Sequence, residues 1–117
     1  FQGATGYFGH EFYKVSRTKK GTYQELGDMS ILPELLVKKR YSAVVLDYYI
    51  FYYFYRLNDK NRDINIFDEH YIIDPVHAGV AFHSEKLRDK FNKTLKKYLS
   101  GEHDKIIFNK YLGNIEK

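Results

Sequence analysis

The sequence predicts an α/β fold, and three observations carry that expectation. Tyr41–Asp47 is a short apolar run with β-branched residues that ends on one acid, the pattern of a buried parallel strand. Stretches of helical periodicity lie on both sides of it. The full order of expected elements, αβαβαββαα, alternates as a parallel sheet flanked by helices requires.

Taken in order, Tyr7, Phe8, Phe12 and Val15 recur at three- and four-residue spacing, which predicts a helix from Thr5 to Ser16 with Thr5 as its cap. Arg17–Gly21 reads as a basic turn and Thr22–Leu26 as a short strand. Asp28 or Ser30 caps a second helix carrying Ile31, Leu32, Leu35 and Leu36, where Pro33 is acceptable because it falls in the first turn. After the strand at Tyr41–Asp47, the aromatic run from Tyr48 to Leu57 fits either a helical face or a strand. Its length favours helix, as does the need for a crossover. Asn58–Asp63 is a polar turn. Ile64–Phe67 reads as a strand, and Val76–Phe82, after Pro75, as another. Ser84 caps a long helix with Leu87, Phe91, Leu95 and Leu99 on one stripe, and Gly101 stops it. A last helix carries Ile106, Ile107, Tyr111 and Leu112 and ends at Gly113.

Composition sets outer limits. The 117 residues are 44% hydrophobic and 29% charged, enough to bury a core. No apolar run reaches the roughly 18–20 residues that span a bilayer. The absence of cysteine removes disulfides, thiolate metal sites and a cysteine nucleophile. The net charge of +4 is not spread evenly. Phe1–His83 carries 10 basic and 10 acidic residues, whereas Ser84–Lys117 carries 9 and 5. The spacing of Lys93, Lys96 and Lys97 is that of a solvated helix face. A nucleic-acid surface would need a larger basic patch with aromatics among the cations. The opening Phe1-Gln2-Gly3, with no initiator Met and no signal segment, reads as a processed, excised or truncated product.

Few residues stand out for chemistry. Gly3-Ala4-Thr5 is a small-residue loop entering a helix. It is either an ordinary turn with a threonine cap or an anion site made of unpaired N–H groups and the Thr5 hydroxyl. Asp47, at the end of its strand, either caps the helix that starts at Tyr48 or receives a ligand cation at the sheet edge. The run Tyr48–Tyr55 is a core helix, an aromatic pocket wall or, least well supported, a base-stacking platform. The five histidines show no metal-ligand spacing, and Asp68-Glu69-His70 is a polar loop before it is a reactive cluster. Glu11, Glu25 and Asp68 are acids without a catalytic motif. No metal, cofactor or catalytic residue is expected.

Phe1-Gln2-Gly3-Ala4-Thr5, followed by an aromatic-Gly helix start, resembles the opening of the second lobe of the periplasmic amino-acid-binding proteins of ABC transporters. Leu35–Asp47 is similar to that family's leucine-rich helix and its "Gly-Arg-x-Asp-Ala-Val-x-x-Asp" passage, with Lys39 for the usual Gly and Ser42 for the usual Asp. His77–Phe82 resembles the returning hinge strand, and the segments Leu87–Leu95 and Ile106–Gly113 the two closing helices. The resemblance implies one lobe of a type II periplasmic-binding fold, a parallel sheet flanked by helices. Lobe two would span 1–75, a hinge strand 76–83, and C-terminal helices 84–117 that pack on a first lobe this chain lacks.

The resemblance also implies a function. The chain would be a non-enzymatic, extracytoplasmic (periplasmic) solute-binding domain for a polar amino acid or similar small molecule, handed to an ABC permease after clamshell closure. Gly3, Ala4 and Thr5 would hold the ligand carboxylate, Asp47 its ammonium group, and Tyr48 would shape the side-chain pocket. No nucleic acid is expected as a partner. Without a first lobe, the stripe Leu87–Leu99 implies a homodimer or a swapped dimer. Three alternatives stand beside this reading: a ligand-sensing input domain of a signalling protein, a lyase or dehydratase on the same fold, and a small basic nucleic-acid binder.

Overall fold

In a computed structural model of the chain, residues 1–18, 21–74, 78–113 and 115 are described. The described residues are helical and irregular, and no strand forms among them. The α/β expectation is therefore overturned, together with the parallel sheet and the type II periplasmic-binding lobe built on it. The chain divides into two units, Phe1–Ile73 and Asp74–Glu116.

The first unit begins with α1, Ala4–Tyr7, which Gly3 launches from a left-handed conformation at φ 87°. The single helix expected over Thr5–Ser16 is broken. Phe8 leaves helical geometry and Gly9 turns left-handed at φ 82°, so α2, Gly9–Thr18, starts afresh. The break turns Phe8 onto Phe1 and Phe12, with ring centroids 5.7 and 5.2 Å apart, and Phe12 meets Tyr23 edge-on at 5.7 Å. This small aromatic cluster ties α2 to the segment 22–26.

Asp28 caps a 3₁₀ turn, Met29–Ile31, by accepting from the Ser30 N–H at 2.9 Å. That turn leads into α3, Leu32–Val37, with Pro33 in its first turn, where its missing N–H costs no bond. α3 ends in a Schellman arrangement: Arg40 N–H donates to the Leu35 carbonyl and Lys39 N–H to that of Leu36, both at 2.9 Å. Lys39 occupies the left-handed position of this motif at φ 54°, where glycine is the usual residue.

α4, Tyr48–Tyr55, is the aromatic helix expected from the run, two residues shorter than its pattern. Tyr52 and Tyr55 are buried. Phe67 packs edge-on against Phe51 and Tyr55 at 5.1 and 4.9 Å. Arg62 closes the unit. Its guanidinium lies 4.0 Å from the centre of the Tyr55 ring, donates to the Tyr55 carbonyl at 2.9 Å and pairs with Glu34 of α3. Arg56, also buried, donates twice to the Arg62 carbonyl at 3.1 and 3.0 Å.

Each expected strand fails for a local reason. Gln2 N–H donates to the Leu26 carbonyl at 2.9 Å, but among the described residues Thr22–Leu26 is part of no ladder. Tyr41–Asp47 touches its neighbours through the Tyr41 hydroxyl on Gln24 and the Phe1 amine on Val45. Val44, Val45 and Leu46 are only half-buried, not covered on both faces as a central parallel strand would be. In Ile64–Phe67, the Asp63 carboxylate accepts from both the N–H and the side-chain amide of Asn65, and this local turn displaces extended structure. The expected strand 76–82 starts on residues outside the described ones, and its remainder, Ala78–Phe82, is not a strand.

The second unit contains α5, Glu85–Ser100, and α6, His103–Leu112. Ser84 caps α5 through its hydroxyl, which accepts from Leu87 N–H at 3.4 Å. Gly101 and a left-handed Glu102 (φ 58°) make the corner. The Tyr98 and His103 rings stack across it at 5.2 Å, and a Cβ on Gly101 would come within 2.9 Å of the His103 ring. Among the described residues, no helix is long and apolar enough to cross a membrane.

Two stability predictions follow from these contacts. Lys39→Gly relieves the left-handed strain and should raise stability by about 0.5–1 kcal/mol in urea unfolding, whereas Lys39→Val should lower it. Arg62→Ala removes a cation–π contact, an ion pair and a helix-end bond together. It should cost about 2 kcal/mol in the same measurement, and Arg62→Lys should recover less than half, because an ammonium group cannot stack and fork at once.

Candidate functional site

The Gly3–Thr5 turn holds a carboxylate, and it is the chain's own. One oxygen of Glu25 accepts from Gly3 N–H at 2.8 Å. The other accepts from Thr5 N–H at 2.9 Å, from Thr5 Oγ1 at 2.8 Å and from the Tyr23 hydroxyl at 3.1 Å. Four donors thus converge on one anion, two of them from the main chain. The left-handed Gly3 aims its own N–H and that of Thr5 to the same side. Ala4 takes no part. Its N–H donates to the Phe1 carbonyl at 3.1 Å, and its methyl is fully buried, which explains a residue without a hydroxyl between Gly3 and Thr5.

The electrostatics match the geometry. The backbone N–H groups of Thr5 and Gly3, then the Thr5 hydroxyl, hold the Glu25 carboxyl down to about 2. Burial, followed by the hydrogen bond to Glu25, pushes the Tyr23 hydroxyl up to about 12. Tyr23 therefore stays a neutral donor across the physiological range.

Asp47 lies beyond Val45, whose carbonyl accepts from the Phe1 ammonium group at 3.4 Å, so Phe1 links the turn to the Asp47 segment. The Oδ1 atom of Asp47 accepts from Tyr49 and Ile50 N–H at 2.9 and 3.1 Å and caps α4. Tyr48 is half-buried, with its ring 5.0 Å from Tyr52. Burial, then the charge of Glu69, pushes its hydroxyl upward. The Tyr52 hydroxyl donates a short hydrogen bond to Glu69, so the α4 aromatics end on a carboxylate too.

The structure thus brings Gly3 and Thr5 together around an anion and places Asp47 at a helix cap. The residues sequence reasoning did not assign are Glu25 and Tyr23. They stand two apart and the Tyr23 hydroxyl donates to Glu25, and that i, i+2 spacing was the available signal. Among the described residues, no group of three histidines or acids is placed to hold a metal ion. No family model, no curated protein and no solved structure matches the chain.

The held-down Glu25 carboxyl sets an acid limit. Its folded value lies below its ordinary one, so the stabilisation is complete above the ordinary value of 4.5 and is lost as pH falls toward about 2. Thermal unfolding between pH 7 and pH 2 should show Tm dropping across that window. Glu25→Gln should lower Tm at neutral pH and flatten the drop.

Proposed function

We propose that the chain is a binding module for a small carboxylate-bearing solute, a polar amino acid first among them, in an extracytoplasmic protein that delivers its ligand to an ABC-type permease. The observation that supports this reading is the Gly3–Thr5 turn closed on a carboxylate by three of its own donors. The reading rests on the chemistry of that turn and not on any sheet. Glu25 stands where the carboxylate of the ligand would sit. Exchange of one carboxylate for another keeps the same donors satisfied, so ligand entry costs no buried unpaired N–H. Asp47 would offer the opposite charge to the ligand ammonium group through the oxygen not engaged in capping.

The test is a thermal-shift and calorimetric screen against the common amino acids and small carboxylates, run on the natural sequence and on Glu25→Ala. The expected result is a selective shift that grows when Glu25, the internal competitor, is removed. Thr5→Pro, which deletes both the main-chain N–H and the hydroxyl of Thr5, should abolish it. Silence from both folded proteins would reject the reading.

Asp47 needs a substitution that separates its two roles. Asp47→Asn keeps a competent helix cap and removes the charge. It should leave stability within about 0.5 kcal/mol of the natural protein and weaken amino-acid binding by about 1.5–3 kcal/mol. Unchanged affinity would remove Asp47 from the site and leave it as a cap alone.

A further inference from the structure

α5 carries an exposed apolar stripe. Leu87, Leu95 and Leu99 are 54, 40 and 57% exposed, and Phe91 and Tyr98 are 37 and 36% exposed although Phe82 already lies 5.1 Å from the Phe91 ring. On the order of 500 Å² of α5 surface is involved, at the upper end of the largest patch a monomer usually shows. Ile106, Ile107, Phe108 and Tyr111 expose further apolar area on α6.

The stripe is self-complementary. Leu87 and Leu99 stand six residues either side of Lys93, Arg88 and Tyr98 five, and Phe91 and Leu95 two. A two-fold interface needs this property, because residue i must meet j while j meets i. At 3.6 residues per turn, Lys86, Lys90, Lys93, Lys96 and Lys97 all fall about 110° or more from the centre of the stripe. They would face solvent in a pair and would not repel across it. Arg88 is the one cation inside the stripe, half-exposed beside Asp89 at 2.9 Å. A parallel pair would set Arg88 against its own copy. An antiparallel pair sets it against the Tyr98 ring, a favourable cation–π partner.

We propose that α5 pairs antiparallel with α5 of a second copy, about a two-fold axis at Lys93. The layers are Arg88 on Tyr98, Phe91 on Leu95, and Leu87 on Leu99. About 500 Å² per partner is the size of a weak, reversible interface, which is why the dimer is sought at micromolar concentration and above.

Sedimentation equilibrium of the full chain from 1 to 100 µM tests this. A dimer is expected, and Phe91→Glu should make it a monomer with helix content unchanged by circular dichroism. The chain has no cysteine, so introduced thiols report geometry cleanly. Asn92→Cys, on the flank of the stripe near the axis, should be joined to its copy by a bis-maleimide of about 10 Å reach. Glu85→Cys should not, since antiparallel pairing holds the two copies of residue 85 about 24 Å apart. Equal linking by both variants would overturn the arrangement, as would a dimer that survives Phe91→Glu. A monomer at 100 µM would also overturn it, and one that binds phosphatidylserine vesicles would assign the stripe to a lipid surface instead.

Discussion

The first unit depends on where one carboxylate goes. Glu25 reaches from an extended segment into the turn that opens the chain and satisfies Gly3 and Thr5 N–H together. That contact fixes the start of α1. It also holds Tyr23 in place for Phe12, and so positions α2. Without an anion in the turn, two backbone donors at a helix start would lose their partners, and the segment 22–26 would keep one backbone bond to the N-terminus. The interaction is polar and joins residues 20 to 22 apart in the sequence.

The other end of the same unit is organised by two arginines, one of them stacked on an aromatic ring. α4 is too short to stand alone and too aromatic to stand exposed. Arg62 and Arg56 solve both problems from a loop without regular structure. Arg62 covers the Tyr55 ring, satisfies the Tyr55 carbonyl and connects the helix to α3 through Glu34, while Arg56 anchors the loop by donating to the Arg62 carbonyl. The buried Arg56 and half-buried Arg62 guanidinium groups are tolerable because their N–H groups find carbonyls and, for Arg62, a carboxylate. The polar turn 58–63 is therefore the lid of the aromatic core and not a mere connection.

What was legible in the sequence follows a simple division. Features decided within a few residues could be read: Asp47 and Ser84 as caps, Pro33 in a first turn, Gly101 as a stop, α4 as a helix. Features that need a distant partner could not. A strand exists only through its neighbour's N–H and carbonyl groups. The segments 22–26 and 41–47 have the right composition, but among the described residues they form no ladder. The anion-holding character of Gly3–Thr5 was legible because it belongs to three adjacent residues. Its occupant was not, because Glu25 arrives from twenty residues away. Lys39 shows the reverse case: a left-handed backbone where the local residue type gives no sign of it, visible only through the bonds that close α3.

The division of labour in the Gly3–Thr5 turn bears on how such a site drifts over generations. Two of its four donors are peptide groups, and nearly every side chain leaves a peptide group in place. An alanine scan would report the Thr5 hydroxyl and the Tyr23 phenol and pass over the other half of the anion hold. Only a change to the chain itself, proline at position 5 or loss of the left-handed residue at position 3, reaches it. Selection on this turn would accordingly show as constraint on backbone shape, while the identities of the surrounding side chains remain free to wander.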